Sequence, residues 1–204
     1  MSDEFRKIEY DNLYKEILEN ANKVYQVLNI CVSGTAALLG FAFTLDPSKL
    51  PSKELSLPFL LLLPFSIILP SMIFVNNSHN STVRIATYLR VFYEEEQKDI
   101  SWQKWLQKLR KKGKQKYRAF SIGLRSMFVR LGSACIALSI LYSFYVWNQW
   151  FNRWIELILY CLLVTFSGWR LSSLSKEIEK KWSTEFFDEL IQFWETLKEE
   201  EKRI

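Results

Sequence analysis

Residues 57–76 read LPFLLLLPFSIILPSMIFVN, and no charged side chain interrupts them. The uncharged stretch around them runs from Glu54 to Arg84, 29 residues. About 20 apolar residues carry a helix across roughly 30 Å of hydrocarbon, so this segment reads as a membrane span. Two further gaps, from Lys23 to Asp46 and from Arg130 to Arg153, hold 22 uncharged residues each, and a shorter gap of 13 separates Glu156 from Arg170. Averaged over 204 residues, 49% apolar and 24% charged would pass for a soluble domain. The segregation of charge sets the class instead: an all-α integral membrane protein with spans at about 24–45, 57–76, 130–149 and 154–173.

The links at 46–56 and 149–153 are short, which predicts two antiparallel hairpins, 24–76 and 130–173. All five prolines fall between 47 and 70. Pro47 and Pro51 mark the first turn, Pro58 fits a first helical turn, and Pro64 and Pro70 should each remove a backbone hydrogen bond inside span two. Glu156 and Arg170 lie near the ends of the fourth span, where charge reaches the headgroups. Trp147, Trp150 and Trp154 cluster at one interface and Trp169 lies at the other, as aromatic belts do. The lysines and arginines give the orientation. The segments before 24, from 77 to 130 and from 170 onward hold 24 of the 27, and the two short links hold only Lys49, Lys53 and Arg153. By the positive-inside rule both termini and the central loop are expected in the cytoplasm.

Several classes of chemistry are excluded by composition. His79 is the one histidine, so no Ser-His-Asp apparatus exists away from it. Cys31, Cys135 and Cys161 sit singly in apolar runs, which is neither a disulfide framework nor a zinc pattern. The six glycines fit no phosphate-binding loop. The first apolar run starts at Val24, too late and too long for a cleaved signal peptide. No catalytic residue, metal site or cofactor is expected.

Three pieces remain outside the bilayer: 1–23, 77–129 and 174–204. Phe5, Ile8, Leu13, Ile17 and Leu18 approximate helical spacing, predicting an amphipathic helix that runs into span one. Ile85, Tyr88, Leu89 and Phe92 extend span two toward the acidic run Glu94, Glu95, Glu96. In the tail Leu171, Leu174, Ile178, Trp182, Phe186, Leu190, Trp194 and Leu197 form a stripe, with a possible new helix start at Ser183-Thr184. Its polar face is acidic and should avoid anionic lipid, so it is expected to pack on the N-terminal helix or a neighbouring subunit, or alternatively to be a solvated helix with a modest intramolecular seam.

Polar residues inside the spans are the first functional candidates. Gln26, Asn29, Ser33, Ala36 and Gly40 follow steps of three and four and share one helix face. Repeated around an oligomer, that face could line a narrow pore; alternatively it is a helix-packing seam. Gly132, Cys135, Ser139 and Ser143 make a similar stripe in span three, read as packing. The second candidate is a basic block, Lys104, Lys108, Arg110, Lys111, Lys112, Lys114, Lys116 and Arg118, flanked or interleaved by Trp102, Trp105, Tyr117 and Phe120. It suits either an anionic ligand, with phosphates paired and bases stacked, or the anionic leaflet. His79, beside Asn76 and Asn77, could bias a gate by titration or simply cap a helix end.

The opening Glu9-Tyr10, Leu13, Glu16-Ile17, followed by the asparagine-bearing first span, resembles the EYxxLxxEI opening of a family of small, uncharacterised bacterial membrane proteins. The likeness continues through His79, Arg84-Ile85, Tyr88-Leu89-Arg90 and Trp102…Trp105-Leu106. In size and layout the chain is also similar to the transmembrane effectors of anti-phage systems that include a nucleotidyltransferase, such as the Hailong type. That resemblance implies a homo-oligomeric, gated ion channel or pore-forming effector in the lipid bilayer. It further implies a nucleotide or short oligonucleotide ligand at the basic block and a partner nucleotidyltransferase. The alternative is a non-conducting scaffold that recruits a protein through its cytoplasmic helices.

Overall fold

The computed structural model describes residues 3–44, 56–94, 116–145, 153–181 and 183–201, and these are almost entirely helical. Helix α1 spans Asp3–Thr44, α2 Ser56–Leu60, α3 Phe65–Leu89, α4 Lys116–Tyr145, α5 Trp154–Lys181 and α6 Thr184–Glu201. A π-helical turn, Arg90–Glu94, ends α3. Four helical stretches are long and apolar enough to cross a membrane: Glu4–Thr44, Leu57–Tyr93, Arg125–Tyr145 and Trp154–Lys181. The helices outrun the spans read from charge gaps, because Asn20, Ala21, Asn22 and Lys23 offer no proline or glycine to break α1. Positions 146–149, assigned to span three, lie outside the described residues.

The chain divides into two compact units. The first gathers residues 1–26, 74–123 and 178–204, and the second 27–73 and 124–177. In the second unit the segment beginning at Leu57 is the hub. Half of its most apolar stretch is buried, against 22% in each of the other three candidate spans. Leu57, Leu61 and Ala42 are buried together, with Leu39, Leu138 and Tyr142 packed around them. Gly132 brings α4 so close that a Cβ there would stand 2.8 Å from Leu171 Cδ2 and 3.4 Å from Phe65 Cζ.

Pro64 shapes this hub. It has no N–H, so the Leu60 carbonyl cannot receive the usual bond from four residues on. The chain tightens instead: Leu63 donates to Leu60 O at 3.1 Å and Leu62 to Phe59 O at 3.0 Å, and helix resumes at Phe65. With the Leu62 N–H engaged at Phe59, the Pro58 carbonyl is left without its helical donor. Ser139 Oγ of α4 supplies one at 2.7 Å. Its single proton being used, Ser139 accepts from the Tyr160 hydroxyl of α5 at 2.9 Å. Phe59 meets the Tyr160 ring edge-on with centroids 5.6 Å apart. Pro70, by contrast, sits inside α3 without ending it. At the start of α5, Arg153 pairs with Glu156 at 3.2 Å, so the carboxylate sits at the favourable end of the helix dipole.

In the first unit, Ser183 Oγ accepts from Phe186 N at 3.2 Å, the cap expected at that break. The break resets the register of the tail. Phe187 and Ile191, one position beyond the predicted stripe, are the buried residues of α6, and Phe186, Leu190 and Trp194 pack beside them. They cluster with Val83 and Val91, so the tail docks on the end of α3. Trp182 lies outside the described residues. The N-terminal amphipathic face is also less covered than its spacing implies. Leu13 and Ile17 are half-buried, whereas Phe5, Ile8 and Leu18 are at least 50% exposed.

Removing the Ser139 hydroxyl takes a hydrogen bond from two buried polar groups, the Pro58 carbonyl and the Tyr160 hydroxyl. Ser139→Ala should therefore cost about 1–2 kcal/mol in thermal or denaturant unfolding in detergent. Ser33→Ala, which loses only bonds to carbonyls of its own helix, should leave stability unchanged.

Candidate functional site

The two small-polar stripes have opposite fates. Gly132, Cys135, Ser139 and Ser143 all face inward. Gln26, Asn29, Ser33, Ala36 and Gly40 are all exposed along one side of α1. Leu28, Cys31, Thr35 and Ala42 supply the buried face. A Cβ on Gly40 would meet nothing within 4 Å. Ser33 satisfies its own hydroxyl by donating to Asn29 O at 2.7 Å. The Gln26 and Asn29 amides sit on the open face, where lipid offers no hydrogen-bond partner. Large apolar side chains flank this strip: Ile30 and Phe41 to one side, Tyr25, Val32 and Phe43 to the other, all strongly exposed.

A polar and aromatic cluster that no sequence signal announced lies in the first unit. Glu9 of α1 accepts hydrogen bonds from Tyr88 Oη at 3.2 Å and from Tyr93 Oη. Two donors on one carboxylate make a charge-assisted clamp, stronger than neutral pairs. Tyr10 adds a tilted ring contact to Tyr93, with centroids 5.9 Å apart. On the other side, Trp194 of α6 donates from Nε1 to Thr87 Oγ1 at 3.1 Å and meets Tyr88 edge-on at 5.3 Å. Lys198 Nζ donates to Val91 O at 2.6 Å and lies 5.7 Å from the Phe92 ring centre. A lysine on the last carbonyls of a helix caps orphan acceptors and opposes the negative end of the dipole. The sequence resemblance passed through Glu9 and Tyr88, but nothing in the spacing paired residues so far apart along the chain.

The other predicted residues do not join either group. Lys104, Lys108, Arg110, Lys111, Lys112 and Lys114 lie outside the described residues. Lys116 and Arg118 fall on the first turn of α4, with their side chains outside the described set. His79 is half-buried on α3, one turn after the buried Asn76. Among the described residues, no group of three His, Cys, Asp or Glu side chains could hold a metal ion. The chain matches no known family model, no curated protein and no solved structure.

Glu9→Ala would leave both phenol hydroxyls without their acceptor. The expected cost is about 1–3 kcal/mol, and limited proteolysis should then cut α1 before residue 26 earlier than in the wild type. Trp194→Ala should expose α6 to the same protease and leave the α1 pattern unchanged.

Proposed function

We propose that the chain is a multi-pass inner-membrane protein whose copies assemble into a gated ion channel, with both termini and the 77–129 loop in the cytoplasm. One observation supports this reading: span one carries its Gln26 and Asn29 amides on an exposed face, whereas the comparable stripe of span three, Gly132, Cys135, Ser139 and Ser143, is buried. An exposed Gln26–Gly40 strip is costly against lipid, and water in a lumen satisfies it. Apolar residues on both flanks give each copy a neighbour on either side, the arrangement that closes into a ring. The lysine and arginine distribution supports the orientation.

The basic block is the receptor for the gating ligand in this reading. Eight positive charges within residues 104–118, with aromatic neighbours, fit a nucleotide or short oligonucleotide supplied by a partner nucleotidyltransferase. A ligand gates only through unequal affinity for the two states, and about 5.5 kcal/mol moves a two-state gate from 1:99 to 99:1. Several subunits binding together reach that figure with modest contacts each. Such a channel suits an effector of anti-phage defence, which must stay silent until released.

A non-conducting scaffold is the second reading. It is favoured by the outer face of α6, where Glu185, Glu189, Glu195 and Glu199 are exposed and Phe193 is 53% exposed. Conductance in a planar bilayer, before and after short single-stranded oligonucleotides reach the cytoplasmic side, separates the two. Discrete current steps altered by the oligonucleotide support the channel, and Asn29→Leu should then lower the unitary current. A silent bilayer in both conditions, with insertion verified, favours the scaffold. Replacing Arg110, Lys111, Lys112 and Lys114 by glutamine should weaken oligonucleotide binding. It should also flatten the dependence of log affinity on log salt by up to about 3.

A further inference from the structure

The exposed strip on α1 does not stop at the membrane. Counting back from Gln26 by alternating steps of four and three reaches Asn22, Glu19, Lys15, Asn12, Ile8 and Phe5, and every one of them is exposed. Joined to the membrane strip, these positions repeat every seven residues from Phe5 to Gly40 along one unbroken helix. A repeat of seven means 3.5 residues per turn, the period at which helices supercoil around one another with a constant face inward.

From these positions we infer that α1 is the assembly helix: its segment 5–22 forms a parallel seam with α1 of a second copy on the cytoplasmic side. The occupant follows from three features. Phe5 and Ile8, 56% and 54% exposed, need cover from water, and Leu18, 50% exposed, borders the seam. Lys15 and Glu19 lie one turn apart, so two parallel copies in near register place each lysine beside the other's carboxylate. Asn12 and Asn22 carry amides that donate and accept, and asparagine inside such a seam fixes register between identical helices. An anionic lipid surface would select for positive charge alone and does not explain Glu19. Copies inserted with one topology present α1 in one direction, so the pairing is parallel. The inference rests on the reading that copies assemble with the α1 strip turned to their common axis, around a lumen within the membrane, and it closes that face into a seam on the cytoplasmic side, where water-soluble reagents reach.

Single cysteines at Asn12, Lys15, Glu19 and Asn22 test it in full-length protein on inside-out membrane vesicles. Lys7→Cys and Ala21→Cys, exposed but off the seam, serve as controls. The probe is a membrane-impermeant bismaleimide whose reach matches the 8–10 Å between packed helices, roughly. The wild-type chain controls for Cys31, Cys135 and Cys161, which lie within the candidate spans. Seam positions should give crosslinked dimers with at least about tenfold the yield of the controls, because assembly raises local concentration. In the Asn22→Cys background, Lys15→Glu should lower the yield about two- to fivefold, and adding Glu19→Lys should restore it. Equal yields on and off the seam, or none on the seam, overturn the inference. Conductance of the same variants keeps the two readings apart. Seam dimers with a silent bilayer leave the inference standing and remove the channel, whereas current without seam dimers does the reverse.

Discussion

Hydrocarbon offers no hydrogen-bond partner, and the second unit is organised around the consequence. A proline at position 64 withholds one N–H, the helix tightens around the gap, and the Pro58 carbonyl loses its donor. Ser139 reaches across from α4 to fill that vacancy, and Tyr160 of α5 completes the chain of bonds. A local defect in one helix thus ties three helices together. The interaction is directional, so it fixes depth and rotation where dispersion between apolar faces would tolerate sliding. Gly132 lets α4 approach closely beneath it, against Leu171 and Phe65.

Against that background the outward face of α1 stands apart. The same economy that draws Ser139 and Ser143 inward leaves Gln26 and Asn29 exposed among the described residues. In the proposed channel, water in the lumen meets them. The first unit adds a different kind of restraint. Glu9 gathers two phenols from the end of α3, and Lys198 caps a carbonyl there. Helix ends and charged side chains therefore hold that unit together alongside its small apolar core of Val83, Val91, Phe187 and Ile191.

Much of the fold is legible from the chain. Charge gaps locate the spans because a charge at membrane depth is expensive, and this cost is paid residue by residue without reference to neighbours. The continuity of α1, the interruption at Pro64 and the cap at Ser183 are likewise local, since each depends on backbone donors within a few residues. The tail is less transparent: its stripe keeps helical steps through Trp182, but the break at Ser183 rotates the buried face onto Phe187 and Ile191.

The candidate site divides along the same line. Sequence by itself determined that the chain is helical, that four segments can cross a membrane, and that two of them carry small and polar residues at helical spacing. Periodicity states which residues share a face. It does not say where that face points, so the stripes of spans one and three read alike. Only the tertiary structure separated them, because Pro58 supplied an acceptor to one and, among the described residues, the other is left exposed. The same holds for Glu9 with Tyr88 and Tyr93: long-range pairing needs two helix ends brought together, and no local propensity encodes that meeting.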